Sequence, residues 1–138
     1  HTPDGLKAAL SALRALTNRK VCVVFGCGGG RDKTKRPIMG SVAYELADSI
    51  ILTSDNSREE KTKAIINDIL IGIRKIDKTK VVFDRVEAIC TAIDLAQNGD
   101  IILVAGKGHE IFQELDGKKF KCDDRSEIRK FLSGVDND

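Results

Sequence analysis

Four short apolar runs divide the chain: 21–25 (Val-Cys-Val-Val-Phe), 49–53 (Ser-Ile-Ile-Leu-Thr), 80–83 (Lys-Val-Val-Phe) and 100–105 (Asp-Ile-Ile-Leu-Val-Ala). Runs at 21–25 and 101–105 are continuously apolar, the pattern of strands covered on both faces of a parallel sheet. The stretches between them carry apolar residues every three or four positions. Leu6, Leu10, Leu13 and Leu16 predict a helix over 6–16, with Thr2 as N-cap and Pro3 at the first helical position. Ile38, Val42 and Leu46 predict a helix over 37–46. Ile65, Ile66, Ile69 and Leu70 predict a third over 59–73. A fourth, 85–96, buries Ile89, Ile93 and Ala96, is capped by Asp84 and is stopped by Asn98-Gly99. Asp116-Gly117 between runs 111–115 and 118–122 is a hairpin signal, and Asp123 or Asp124 caps a last helix over 125–132. Helices alternating with buried strands predict a three-layer α/β/α, Rossmann-like domain, its sheet mostly parallel with an antiparallel edge hairpin.

Composition narrows what such a domain does. The 138 residues make one domain without repeat or linker, 41% hydrophobic and 32% charged. A net charge of +2 and only 4% aromatic residues, with no tryptophan, argue against nucleic acid as a partner. No apolar run reaches the roughly 20 residues that span a bilayer, so no membrane partner is expected. Cys22, Cys27, Cys90 and Cys122 lack the paired spacing of a zinc site, and no metal site is expected in this chain. Scattered reduced cysteines fit a cytoplasmic setting.

Three polar clusters follow three of the strands, and ligands of open α/β sheets bind beyond the carboxyl ends of strands. The first is Gly26-Cys27-Gly28-Gly29-Gly30-Arg31-Asp32-Lys33. It is not a dinucleotide fingerprint, because Arg31 stands at the third glycine, and not a P-loop, because Asp32 precedes Lys33-Thr34. Arg31 has the donors to clamp a carboxylate, or is a solvated member of the basic run with Lys33, Lys35 and Arg36. The second cluster, Asp55-Asn56-Ser57-Arg58, places an anion, an amide, a hydroxyl and a cation where a zwitterion would be gripped; capping of the next helix by Asp55 or Ser57 is the simpler reading. In the third, Gly106-Lys107-Gly108-His109-Glu110, Glu110 is placed to receive an amine. Lys107 and His109 are weaker catalytic candidates, since no serine or cysteine nucleophile has matching spacing. Together the clusters predict a small-molecule pocket carrying both charges.

These stretches resemble the C-terminal domain of Mur ligases, of the type that adds a diamino acid to UDP-N-acetylmuramoyl-alanyl-glutamate. The resemblance rests on His1-Thr2-Pro3-Asp4, the segment from Phe25 to Gly40, Asp55-Asn56-x-Arg58, Ala64 to Ile69, Val104 to Glu110, and Asp124-Arg125. It implies an ATP-dependent ligase of peptidoglycan synthesis, active in the cytoplasm and built of three domains. ATP, with Mg2+, activates the glutamyl carboxylate of the UDP-MurNAc-dipeptide as an acyl phosphate, which the diamino acid's amine attacks. Residues 1–138 correspond to the amino-acid-binding domain; the nucleotide-sugar and ATPase domains lie upstream, so the fragment alone should hold no cofactor and be inactive. His1 corresponds to the hinge from the ATPase domain, unless it is a residue left from a tag. Arg31 corresponds to a ligand of a substrate carboxylate, Asp55, Asn56 and Arg58 to the distal amino and carboxylate end, and Gly106 and Glu110 complete the site. Ser57 stands where the diaminopimelate-type motif has proline. Arg58 favours meso-diaminopimelate, or an analogue such as lanthionine, over lysine. A free-standing amino-acid-binding module, a lysine-adding Mur ligase and a folylpolyglutamate-synthetase relative remain as alternatives.

Overall fold

The computed structural model describes residues 2–30, 32–106 and 109–114, with side chains described as far as residue 105. Helix α1 (Pro3–Leu16) starts as its sequence predicts: the Thr2 hydroxyl accepts from Gly5 N–H at 3.0 Å and proline occupies the first turn. Strand β1 (Val21–Phe25), helix α2 (Lys35–Leu46), strand β2 (Ser49–Leu52), helix α3 (Thr62–Leu70), strand β3 (Thr79–Val81), helix α4 (Arg85–Leu95), strand β4 (Ile101–Gly106) and strand β5 (His109–Glu114) follow. The strands form one sheet in the order β3-β2-β1-β4-β5, parallel except for β5.

Alternation along the central strands builds the three layers. Val23 and Phe25 of β1, with Ile50, Leu52 and Leu103, point to the face covered by α1, α2 and α3. Val24, Ile51, Ile102 and Val104 point to the other face, under Ala88, Ile89, Ala92 and Ile93 of α4. Because both faces are covered, β1 and β4 carry no polar alternation. The chain runs one way along the sheet from β1 to β2 and β3, and β4 pairs on the opposite side of β1. The carboxyl ends of β1 and β4 therefore border the switch point where α/β sheets open a crevice.

Several sequence expectations change. On α2 the buried positions are Arg36, Met39, Gly40 and Ala43, whereas Ile38 is 51% exposed. Gly40 lets α2 lie close against α3, where a Cβ would meet Ile69 O, while Val42 and Leu46 stay partly buried against the core as expected. Leu16 ends α1 exposed rather than inward. Helix α3 begins three residues later than expected, after Lys61, so neither Asp55 nor Ser57 caps it. Gly99 does not end α4, whose C-cap is Ala96; it sits at φ +87° in the turn from Gln97 to Asp100 that leads into β4. The antiparallel edge is made by β4 and β5, with Gly106 paired to His109 and Ala105 to Glu110, so part of the third polar cluster is strand. The Asp116-Gly117 hairpin and the last helix lie outside the described residues.

Candidate functional site

The first two polar clusters meet at the carboxyl edge of the sheet. Parallel pairing of Phe25 with Leu52 brings the ends of β1 and β2 level, and Thr53 N–H extends the pairing onto Phe25 O at 3.0 Å. Beyond that point the glycine loop and the 53–60 loop lie directly on each other. Gly29 N–H donates to Asn56 O at 2.8 Å, and Gly30 N–H donates to Glu60 Oε1 at 2.8 Å. The Arg58 guanidinium donates through Nη1 to Gly29 O. No side chain fits at Gly29, because its Cβ would overlap the Ser57 carbonyl.

Asp55, Asn56, Ser57 and Arg58 are thus brought beside the glycine loop, Asn56 and Arg58 exposed and the other two half-buried. Arg58 has φ +53°, a left-handed conformation that costs a residue with a Cβ roughly 1–2 kcal/mol. That conformation turns the chain at Arg58 and returns its side chain across Gly30 towards Gly29. Arg31 and His1 lie outside the described residues, as do Lys107 and Gly108. For His109 and Glu110 the backbone alone is described, and it places them at the start of β5, across from Gly106 and Ala105.

Three residues that the sequence reading passed over hold this edge together. Arg36, assigned there to a solvated basic run, is 1% exposed. Its guanidinium donates to both oxygens of Glu60 at 3.0 Å, to Asp68 Oδ2 at 3.0 Å and to Gly28 O at 3.1 Å. Arg36, with help from Gly30 N–H, holds the Glu60 carboxyl at about 2, far below its ordinary 4.5. Arg85, at the start of α4, donates to Ser54 O at 3.3 Å and Ala105 O at 3.1 Å, tying the end of β2 to β4 next to Gly106. The signal for Glu60 was its place two residues after Arg58; nothing local marks Arg36 or Arg85, whose partners are distant in sequence.

The described residues of the glycine loop do not offer a phosphate cradle. Both Gly29 and Gly30 amides are engaged by Asn56 O and Glu60, and Asp32 adds a carboxylate to the loop's exit, where it accepts from Thr34 N–H and Oγ1. These engaged amides and the Asp32 carboxylate do not fit the phosphates of ATP and its Mg2+. Among the described residues no three His, Cys, Asp or Glu side chains cluster closely enough to hold a metal ion. Burial pushes the Cys27 thiol up to about 11, against the pull of the Arg36 charge, so it is a packed apolar group against Met39 Sδ at 3.6 Å rather than a nucleophile. A cleft of about 470 Å³ opens at the opposite edge of the sheet, beside Lys20, Cys22, Ser49, Thr79 and Asp100, and no residue of the three polar clusters lines it. A smaller cavity of about 110 Å³ lies at the glycine loop itself, between Gly26, Cys27, Gly28 and Lys35. No described helix is long and apolar enough to cross a membrane.

Comparison with known proteins extends these observations. The chain is 49% identical over 132 residues to a UDP-N-acetylmuramoyl-L-alanyl-D-glutamate–2,6-diaminopimelate ligase of Prochlorococcus marinus subsp. pastoris, covering 96% of the chain and 26% of that protein. It is 46% identical over 134 residues to the protein of the same name in Aquifex aeolicus, covering 97% and 28%. A solved structure, also titled UDP-N-acetylmuramoyl-L-alanyl-D-glutamate–2,6-diaminopimelate ligase, superposes with a TM-score of 0.74 at 41% identity, covering 97% of this chain and 28% of that one. The chain thus spans little more than a quarter of the relatives it matches, 26% and 28% of their lengths. The family described as "Mur ligase, glutamate ligase domain" matches residues 1–108, and on that match, with identity near one half along almost the whole chain, the protein belongs to this Mur ligase family.

Proposed function

We propose that this chain is the diamino-acid-binding domain of a longer, ATP-dependent amide-forming ligase of the cytoplasm. That ligase adds meso-diaminopimelate, or a close analogue such as lanthionine, to UDP-N-acetylmuramoyl-L-alanyl-D-glutamate in peptidoglycan synthesis. One observation carries the reading: the loop that contains Arg31 and the loop Asp55-Asn56-Ser57-Arg58 are locked edge to edge beyond β1 and β2. Two arginines on two joined loops suit a ligand with two carboxylates, each a target for charge-assisted bidentate bonding. Names of relatives at 46–50% identity support the same substrate.

In this reading Arg31 holds one carboxylate, and Asp55, Asn56 and Arg58 hold the distal ammonium and carboxylate. The Gly106 backbone and the Glu110 carboxylate receive the amino end. ATP and Mg2+ supply activation of the glutamyl carboxylate and belong to a preceding domain, since the described residues of the glycine loop do not fit them. What this chain contributes is orientation: an amine held against an activated carboxylate gains most of its advantage from prepaid positioning. His1 would lie at the hinge to that domain, and closure about it would exclude water from the activated intermediate. Lys107 and His109 would then be carried towards the nucleotide.

The full-length protein should form amide product from ATP, UDP-MurNAc-dipeptide and meso-diaminopimelate, and also with lanthionine, but not with L-lysine. Arg58→Ala should lose about 2 kcal/mol of transition-state binding, roughly thirtyfold in kcat/KM, for the ligands with a distal carboxylate. Equal turnover of lysine, or an Arg58→Ala enzyme with undiminished preference for meso-diaminopimelate, refutes the assignment. Tight binding of a diamino acid by the isolated chain, with no ligation in the full-length protein, would instead identify a binding module. Ser57 in place of proline leaves the turn before Arg58 free of a fixed φ, which is the observation favouring trial of lanthionine beside diaminopimelate.

A further inference from the structure

Arg36 is the one charged side chain buried in the core among the described residues, at 1% exposure, although it stands in the first turn of α2. Its guanidinium joins three segments at once. It reaches the glycine loop at Gly28 O, the loop after β2 at Glu60 and α3 at Asp68, and the pair with Glu60 is bidentate, both bonds being 3.0 Å. Glu60 Oε1 also accepts from Gly30 N–H, so the same carboxylate holds both loops. Arg36 Nε is buried without a hydrogen-bond partner.

Burying the Arg36 charge costs it hydration, which offsets part of its Coulombic gain from Glu60 and Asp68, whose own side chains stay 22% and 35% exposed. An unpartnered Nε adds to that cost. What an apolar pair in their place does not supply is a fixed, directional distance. Glu60 is two residues after Arg58, and Gly30 immediately precedes Arg31. The carboxylate of Glu60 therefore fastens the chain beside one proposed ligand arginine to the chain beside the other.

We propose that Arg36 and Glu60 are positioning residues for the diamino acid: their bidentate pair, with the bond from Gly30 to Glu60, fixes the loop that carries Arg58 against the glycine loop, and so sets the spacing of the ligand groups the site accepts. Neither residue touches the ligand. The inference rests on the functional reading above and adds to it a determinant of ligand length that lies outside the binding loops' own side chains.

The test uses the full-length protein carrying Glu60→Gln, Arg36→Lys, both together, and Arg14→Ala as a control. Arg14 pairs with Asp48 at the opposite edge of the sheet, so its loss perturbs stability without touching the two loops. Glu60→Gln keeps size but leaves one acceptor where there were two, and Arg36→Lys keeps charge but loses the fork. Each is expected to raise KM for meso-diaminopimelate by about tenfold or more, as misplacement of a binding group does, while KM for the nucleotide-dipeptide and for ATP stays within about twofold. The double variant should show less than the product of the single effects, since both break one interaction. Arg14→Ala should lower the melting temperature with no change in any KM.

Should Arg36→Lys fail to fold, Glu60→Gln carries the test, its side chain being 22% exposed and its replacement the same size. A folded Glu60→Gln enzyme with wild-type KM for the diamino acid overturns the proposal, and so does an equal rise in all three KM values. If the wild-type protein itself forms no amide product, the functional reading fails and the positioning role with it. Wild-type activity beside an unchanged KM in the variant refutes the positioning role alone.

Discussion

Replacing Gly29 by alanine tests whether the two loops are held by direct backbone contact. A Cβ there would overlap the carbonyl oxygen and carbon of Ser57 and lie 3.2 Å from its Cα. These are backbone atoms, which cannot swing aside as the end of a side chain can, so the loops must part. Forcing a methyl group into a filled space costs roughly 1–3 kcal/mol. Parting also stretches the Gly29–Asn56 and Gly30–Glu60 bonds, both 2.8 Å, each contributing about 1 kcal/mol. The two terms are alternatives rather than a sum, because loops that separate relieve the overlap by giving up the bonds. A loss of about 2 kcal/mol is expected, a large fraction of the roughly 5–15 kcal/mol that holds a domain of ordinary stability. Urea unfolding reads it as a lower midpoint at unchanged slope. Gly30→Ala is the comparator: a Cβ there meets nothing nearer than Arg58 Cδ at 3.4 Å, but φ is +67°, a strain of about 1 kcal/mol. The order expected is therefore Gly29→Ala below Gly30→Ala below wild type. If Gly30→Ala is as damaging as Gly29→Ala, local backbone conformation rather than loop contact limits the site, and the reasoning fails.

Arg58→Gly should be about 1 kcal/mol more stable than Arg58→Ala, since both remove the side chain and only glycine accepts φ +53° without strain; equal unfolding midpoints would contradict the left-handed assignment. Thr2→Ala should lower stability by about 1 kcal/mol through loss of the cap on Gly5 N–H, while a midpoint unchanged by urea titration would show the cap to be dispensable. With a thiol at about 11, Cys27 should be alkylated by iodoacetamide at pH 8 about a hundredfold more slowly than an exposed cysteine; peptide mapping that finds it labelled at the free-thiol rate would refute its burial. In acid, Glu60 and Asp48 act together. Arg36 lowers Glu60 to about 2, and for Asp48 burial pulls upward but Arg14, the Val21 amide and Lys78 outweigh it. Depressed carboxyls stabilise the fold above their ordinary values and lose that contribution as pH falls through the folded ones, so thermal stability should be level from pH 7 to 5 and fall from about 4.5 towards 2, with a shallower fall in Glu60→Gln. A melting temperature that rises between pH 5 and 3 is the contrary result.

The sheet was legible because burial on both faces leaves a mark that no other setting leaves: Val21 to Phe25 and Ile101 to Ala105 have no polar position to alternate with. Helix α1 was legible for a different reason, its start being written in local chemistry by Thr2 and Pro3. Reading α2 by its largest apolar residues held for Val42 and Leu46, which pack against the core, and failed at Ile38, because α2 meets α3 at Gly40, where there is no room for a side chain. Capping by Asp55 or Ser57 was the simpler reading of the second cluster, and it failed because α3 starts only after Lys61, which leaves 53–60 as a loop able to lie against the glycine loop.

Local chemistry likewise explains why the candidate site was half legible. Each polar cluster follows a buried strand, so its position at the sheet's carboxyl edge could be read from order alone. That the first two clusters touch could not, since the bonds joining Gly29 to Asn56 and Gly30 to Glu60 span segments about thirty residues apart and involve backbone groups every residue possesses. Arg36 is the sharpest case. Beside Lys33 and Lys35 it reads as one more solvated cation, and only the fold brings Glu60 and Asp68, 24 and 32 residues away, to the place where they permit its burial. Burial of a charge is decided by partners rather than by neighbours in sequence. A loop whose ligand-facing residues are easily named is thus held in shape by residues that no local pattern distinguishes, and mutations at Arg36 or Glu60 should disturb ligand selection although neither belongs to a recognisable binding motif.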